Sequence, residues 1–406
     1  MARRPRFPLG CAVLQRIGDR NILVVYGATL LLCTGYGLAI SLTSLHLDAR
    51  HFSRADIGGL AAWFALGIVA MSIPAGALIR RLSARAVLAA SLLGYAACVT
   101  AFPHLGGYRA IAAARLFDGA FSVGVWVASE TILLSRAGEG HKAFVTSLYA
   151  VTVALGYVLG PLAARGVIAA APASVAFGVS GALAVAAAAV VASRLDPDLP
   201  ETHAGEAAEG AVGARGRDAA IAWRIKTSCF GTFAYGYFQS SVVLFLPLFL
   251  VASKGVARAQ TVLVPAFFGA GMLLCSNAFG RLGDRVGHLK VMRALAVVGA
   301  AMTASFVLLD RFEFMAVAVF VAGASLASIS PLSLALQGVV TAPGDYSRAN
   351  AIYNAFYAAG MLLGPPVSSR LFDRWGGAAM LWHLAALWAA FVAFTVAFAK
   401  DDPAAR

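Results

Sequence analysis

Twelve blocks of apolar residues, each long enough to cross a bilayer, limit what this chain can fold into more than any other feature. They fall at 22–45, 57–79, 86–103, 109–134, 143–168, 172–193, 227–252, 258–280, 291–309, 314–340, 349–371 and 377–399. A helix needs about 20 apolar residues to span a hydrocarbon core. Lipid offers backbone N–H and C=O groups no partners, so each block must satisfy its own hydrogen bonds as a helix. Strands of a membrane barrel run to only ~10 residues of alternating polarity, and these blocks do neither. Of the 406 residues, 60% are apolar and 13% charged, where a soluble domain carries about 25% charged. The expected fold class is an all-α membrane protein with twelve transmembrane helices.

The net charge of +13 invites a nucleic-acid reading, and its distribution argues against one. With the N-terminus on the cytoplasmic side, 22 of the 32 Lys and Arg fall on inner segments. That bias orients the chain with both termini in the cytoplasm. The basic surplus then faces anionic lipid headgroups rather than nucleic acid. Cys11, Cys33, Cys98, Cys229 and Cys275 have no paired spacing, so no disulfide, metal site or cofactor is expected. The basic start Met1–Arg6 precedes an apolar run without a convincing cleavage site, which reads as a retained first helix.

Between Leu195 and Trp223 the composition turns polar, with Asp-Pro-Asp-Leu-Pro-Glu at its start. This linker divides the chain into 1–194, 195–223 and 224–406, with six apolar blocks on each side. The halves repeat. Gly156-Tyr-Val-Leu-Gly160-Pro161 in block five matches Gly360-Met-Leu-Leu-Gly364-Pro365 in block eleven, 204 positions later (156 to 360). At the same offset Tyr149 corresponds to Tyr353. Glycines four apart in a span allow close helix packing, which is the role expected of both copies.

Between blocks eight and nine lies Gly280-Arg-Leu-Gly-Asp284-Arg285-Val-Gly287-His-Leu-Lys290. It resembles the G-x-L-[AG]-D-R-x-G-R-K loop signature of the major facilitator superfamily. The resemblance covers nearly the whole chain and implies two pseudo-symmetric six-helix bundles that move solute by alternating access. It also implies that Gly280, Asp284, Arg285 and Gly287 form a conformational gate on the cytoplasmic side. A carboxylate beside a helix N-terminus meets free N–H groups, and internal symmetry directs Asp284 to the start of helix five, near Lys142–Phe144. The first-half loop departs from the signature, with Arg80 where the acid stands. Helix five resembles the drug-antiporter pattern G-x-x-x-G-P-x-x-G-G, but Ala164-Arg165 replaces the final glycines.

Block four is the most polar span. Arg115-Leu-Phe-Asp118-Gly119 resembles the family's R-x-x-x-G pattern, which implies a part in proton coupling. An ionisable group in a span costs ~2.5–3.5 kcal/mol to insert, so it faces a partner or a wet cavity. Arg115 and Asp118 share a helical face, and a structural ion pair is the alternative to a coupling pair. Glu130 is the second proton-coupling candidate. Its alternative is a lock with Arg348, Arg81 or Arg136. Trp126 shares its face and puts an aromatic wall beside a carboxylate, which suits a cationic or amphipathic solute. The family architecture puts helices one, four, seven and ten around the cavity, making Tyr36, Trp126, Tyr235 and Gln239 its lining candidates. Helix–helix hydrogen bonding is the alternative for each. His383 in block twelve is expected to be peripheral.

The function these features support is secondary active transport of a small solute, coupled to protons, in the bacterial inner membrane. Export by antiport is favoured by the helix-five pattern; import of a metabolite by symport is the alternative. A membrane-embedded enzyme would need a phosphate loop, a metal-spaced cluster or a soluble domain, and none is legible. A non-transporting receptor on the same scaffold is the remaining alternative. The expected partners are the solute, protons and lipid, around a monomer.

Overall fold

The protein is described here by a computed structural model covering residues 19–137, 142–197, 211–342 and 345–402. Among these residues the long helices are α1 (Arg20–Ala49), α2 (Arg54–Leu82), α3 (Ala84–Ala101), α4 (Tyr108–Arg136), α5 (Lys142–Ala170) and α6 (Ala173–Arg194). After a linker helix, Ala211–Arg224, come α7 (Lys226–Lys254), α8 (Val264–Val286), α9 (His288–Ser305) and α10 (Phe312–Val340). The last helical stretch, Tyr346–Ala397, breaks at Gly376 (φ 84°, ψ 170°), giving α11 over 346–375 and α12 over 377–397. Among the described residues, ten segments are long and apolar enough to cross a membrane. The last of them holds both α11 and α12, and α9 is absent because Lys290 and Arg293 dilute its first two turns.

Helix eight starts later than its apolar block, which begins at 258. Arg258–Thr261 forms a separate turn and Pro265 opens α8, because proline lacks the N–H that a continuous helix would need there. Local chemistry sets other ends. Asp19 caps α1 by accepting from the Asn21 N–H at 2.8 Å. Ser53 and Asp56 form a reciprocal capping box on α2. Gly255, at φ 64°, ends α7. Asp19, Ser83, Arg136 and Gly287 lie at one end of the helices, called the linker face; Arg54, Gly107, Gly255 and Gly376 lie at the other, the distal face.

The two halves pack alike. In the first, α1 lies on α5 and α6, α2 on α4, and α3 on α4 and α6; in the second, α8 and α9 both pack on α10, while Tyr346–Ala397 covers α7 and α9. The closest crossings are made through glycine. A Cβ at Gly67 or Gly119 would collide with the carbonyl of Leu116 or Phe64 on the facing helix. Gly271 and Gly323 meet the carbonyls of Phe320 and Phe268 in the same way. Each of these four second-half residues lies 204 positions after its first-half counterpart (67 to 271, 119 to 323). Gly156 and Gly160 press on Cys33–Leu38 of α1, and Gly360 and Gly364 on Phe233–Tyr237 of α7. Between halves, α2 packs on the Tyr346–Ala397 segment and α5 on α8.

The signature loop is mostly helix. α8 runs through Asp284 and Arg285, and the chain turns into α9 at the single residue Gly287 (φ 102°, ψ 130°). Ser83 makes the same turn between α2 and α3 (φ 113°, ψ 151°), again 204 positions earlier (83 to 287). A side chain in that region costs about 1–3 kcal/mol. The Ser83 hydroxyl offsets part of this by accepting from the Ala86 N–H at 3.2 Å, capping α3. Glycine in place of a serine cap loses only a few tenths of a kcal/mol. Ser83→Gly is therefore expected to raise the thermal unfolding midpoint in detergent, by about 0.5–2 kcal/mol of stability, and Gly287→Ser to lower it. A midpoint that falls in Ser83→Gly would contradict the strain.

Candidate functional site

The polar centre of the first half is the Arg115–Asp118 pair. Helical spacing puts the two on one face of α4, where the guanidinium Nη1 donates to the Asp118 carboxylate at 2.5 Å. Asp118 is buried, and the Ser122 hydroxyl stands 3.5 Å from its other oxygen. The Arg115 guanidinium also lies 4.4 Å over the Phe64 ring of α2. A buried charge is tolerable when paired and further solvated by hydroxyl and ring dipoles, and this pair has all three.

Aromatic residues surround it. Tyr36 of α1 stacks on Tyr95 of α3 (5.7 Å between centroids) and meets Phe64 and Tyr157 at 6.4 and 5.9 Å. In the second half Tyr235 stacks on Tyr357 at 6.2 Å, and the Tyr357 hydroxyl donates to Gln239 at 3.1 Å. Tyr36 and Tyr157 lie within electrostatic reach of Tyr357 across the divide. Three of the four lining candidates, Tyr36, Tyr235 and Gln239, thus belong to one aromatic centre. Trp126 sits apart, edge-on to Tyr149 at 6.4 Å. Tyr95 and Tyr157 were not singled out by sequence. Tyr157 had a signal, since it occupies the second position of the helix-five G-x-x-L-G-P segment.

Glu130 is solvent-accessible and within reach of Tyr149. Among the described residues it has no hydrogen bond or ion pair. Two of the arginines expected as its lock are held elsewhere: Arg136 by Asp19 at 3.3 Å and Arg348 by Asp218 at 3.7 Å. Burial works against ionisation of Asp19, but hydrogen bonds from Asn21 and from Arg136 outweigh it and leave its carboxyl below the usual range. His383 of α12 is half-buried and hydrogen-bonded. Its Nδ1 faces the Met380 carbonyl at 2.5 Å, while Nε2 lies 3.2 Å from the Tyr237 hydroxyl and 3.4 Å from that of Ser368.

Among the described residues, the ion pairs that join the halves lie at the distal face. Arg54 meets Asp373 at 3.5 Å and stacks 4.3 Å over Phe372; Arg258 meets Asp48 at 3.0 Å. Gly58 abuts Pro365 and Ser369, so closely that a Cβ there would lie 3.0 Å from the Ser369 Cβ. At the linker face, by contrast, Asp284 is 72% exposed and its carboxylate lies 3.2 Å from His288 Nε2, one helical turn away. Open space surrounds Gly280. The side chains of 142–144, the partners expected for Asp284, lie outside the described residues. Among the described residues, the charged contacts between halves are thus distal, and Asp284 meets His288 of its own half.

The chain matches the family model described as Major Facilitator Superfamily over residues 25–228 and again over 228–406. It is 22% identical over 355 residues to an uncharacterised MFS-type transporter, YcaD, of Shigella flexneri serotype 5b, covering 87% of this chain and 90% of the relative. The Escherichia coli O157:H7 protein of the same name is also 22% identical, over 356 residues with the same coverage of each chain. Among solved structures, the nucleoside transporter NupG superposes with a TM-score of 0.77 at 14% identity, over 94% of this chain and 100% of that one. A bacterial homologue of the human lysosomal transporter Spinster, solved in an inward-facing and occupied conformation, gives 0.74 at 12% identity, over 94% and 97%. At such identities the structural likeness speaks to the fold alone.

Proposed function

The chain belongs to the Major Facilitator Superfamily, and from that premise we propose that it exports a small solute in exchange for protons, with Asp118 as the proton carrier. The family itself makes the protein a multi-pass membrane transporter and not an enzyme. The observation that carries the finer reading is the buried Arg115–Asp118 pair beside the aromatic centre. A carrier acid must bind and release its proton as access alternates, so its cationic partner must hold the ionised form and yield to the proton. Asp118 has one such partner, on its own helix. The pair's cost inside a span, ~2.5–3.5 kcal/mol per charged group, is of the size that a conformational equilibrium can trade against.

The solute site in this reading is the aromatic centre of Tyr36, Tyr235, Tyr357 and Gln239, entered from the linker face past Trp126 and Glu130. The direction rests on the helix-five G-x-x-L-G-P segment; proton-coupled import through the same site is the alternative, and flux in vesicles of each orientation decides between them. The segment 195–223 is taken as the linker between bundles 1–194 and 224–406, on the cytoplasmic side with both termini, in the bacterial inner membrane. The gate role of Gly280, Asp284, Arg285 and Gly287 belongs to a linker-closed arrangement, in which Asp284 would leave His288 for the N-terminus of α5.

Three outcomes test these statements. Asp118→Asn should abolish pH-gradient-driven solute accumulation in proteoliposomes while leaving solute exchange partly intact; retained accumulation would remove Asp118 from the coupling. Asp284→Asn should slow transport more than it lowers thermal stability, because a charge–dipole contact worth about 0.3–2 kcal/mol shifts a balanced equilibrium without unfolding the bundle. Wild-type flux in that variant would count against the gate. A cysteine placed in the linker should resist membrane-impermeant maleimide in intact cells and react in inverted vesicles; labelling in intact cells would reverse the topology.

A further inference from the structure

We propose that Asp118 exchanges its proton with the distal side, through a water-holding cavity inside the first half. This rests on the reading of Asp118 as proton carrier, and it gives the proton a route separate from that of the solute.

The cavity measures about 30 Å³ and lies among α1, α3, α4 and α6. A water needs ~10–15 Å³ of such space and two to four polar partners. The walls include Thr43, Tyr95, Cys98 and Arg115, with Asp118 itself. The Thr43 hydroxyl donates to the Ala39 carbonyl at 2.8 Å, so its oxygen still accepts. The Tyr95 hydroxyl lies 3.1 Å from Ser180 Oγ. One to two waters here would have hydroxyl, guanidinium and carboxylate partners.

The cavity leads in one direction. Asp118, Tyr36 and Tyr95 lie at mid-depth. Thr43 is two turns further along α1 from Tyr36 toward the distal face, and Phe102 and Phe177, which also line it, stand at the distal ends of α3 and α6. Both rings pack on His46, at 5.9 and 5.3 Å. His46 Nε2 is buried and has no hydrogen-bond partner among the described residues. An unpartnered imidazole nitrogen between the distal surface and a polar cavity is placed to pass a proton inward.

The step is a simple transfer. A proton from distal water reaches the Asp118 carboxylate through His46 and cavity water, the carboxylate becomes neutral, and its bond to Arg115 weakens. The titratable groups facing Asp118 are Arg115 on its own helix, Tyr36 on α1, and Tyr95 and Cys98 on α3. The α2 and α6 residues beside the cavity, Phe64, Phe177 and Ser180, do not titrate. His46 faces Arg50 on α1 and His104 in the turn after α3. With the solute entering from the linker face, as proposed above, proton and solute reach the first half by separate routes.

The test holds the distal face shut with a disulfide between Gly58→Cys and Ser369→Cys, whose Cβ atoms would start 3.0 Å apart, so that α2 must back off from the Pro365 carbonyl, 2.8 Å from the new Cβ, to reach the usual ~3.5–4.5 Å range. In oriented proteoliposomes of this locked protein, the infrared carboxylic-acid C=O band that Asp118→Asn removes is followed after a pH step on one side. Acidifying the distal compartment should raise the band at least about tenfold faster than acidifying the linker compartment. Thr43→Leu, which fills the cavity, should slow the distal response by a similar factor. A band that follows linker-side pH, or an unchanged rate in Thr43→Leu, overturns the route while leaving Asp118 as carrier. If Thr43→Leu does not fold, the sided comparison decides alone. A band that responds from neither side overturns the carrier reading, and the route with it.

Discussion

Backbone-to-backbone contact between helices is the interaction on which everything else here depends. In a bilayer, lipid tails compete with apolar side chains on equal terms, so burial alone does not drive helices together. Close approach does, and it needs positions without a Cβ. Gly67 with Gly119, and Gly271 with Gly323, bring α2 against α4 and α8 against α10 at carbonyl contact distance. Gly156, Gly160, Gly360 and Gly364 do the same for α5 on α1 and α11 on α7. These crossings make each half a solid unit. The joint between halves uses exposed or half-exposed ion pairs such as Arg54–Asp373 and Arg258–Asp48, each worth at most about 1 kcal/mol. The joint also has one close glycine crossing, Gly58 against Pro365 and Ser369.

The repeat is a repeat of backbone, and chemistry has been laid on it unevenly. At the offset of 204, glycine meets glycine where α2 crosses α4 and α8 crosses α10, and again where α5 crosses α1 and α11 crosses α7, and the one-residue turns fall at Ser83 and Gly287. Some basic residues at the helix ends repeat, Arg54 with Arg258 and Arg81 with Arg285, but the buried acid does not. Asp118 corresponds to Ala322, and the second half's aromatic centre is served by Gln239 and hydroxyls rather than by an ion pair. One half thus carries the electrostatic element and the other supplies neutral polar groups.

Much of the fold could be read from the chain because lipid permits so few solutions. Long apolar blocks had to be helices, and their ends fell close to the observed ones, apart from α8, where Pro265 delays the start. The Arg115–Asp118 contact was legible from spacing alone. The rest was hidden for identifiable reasons. Tyr95 and Tyr157 are ordinary apolar-span residues until α1 brings Tyr36 between them. The glycine crossings at Gly67 and Gly271 lie in no short motif, and only the facing carbonyls reveal them. Arg136 and Arg348 had acids nearer than Glu130, in Asp19 and Asp218, which no linear pattern announces.

The turns at Ser83 and Gly287 have a mechanical meaning. A loop of several residues stretches and absorbs movement; a turn of one residue has no slack. With φ of 113° and 102° at those single points, α2 is keyed to α3 and α8 to α9 at a fixed angle and rotational phase. Any tilt imposed on α2 or α8, the helices that lean on the opposite half, is handed undiminished to its neighbour. Both elbows lie at the linker face, at the far end of the helices from the ion pairs that join the halves.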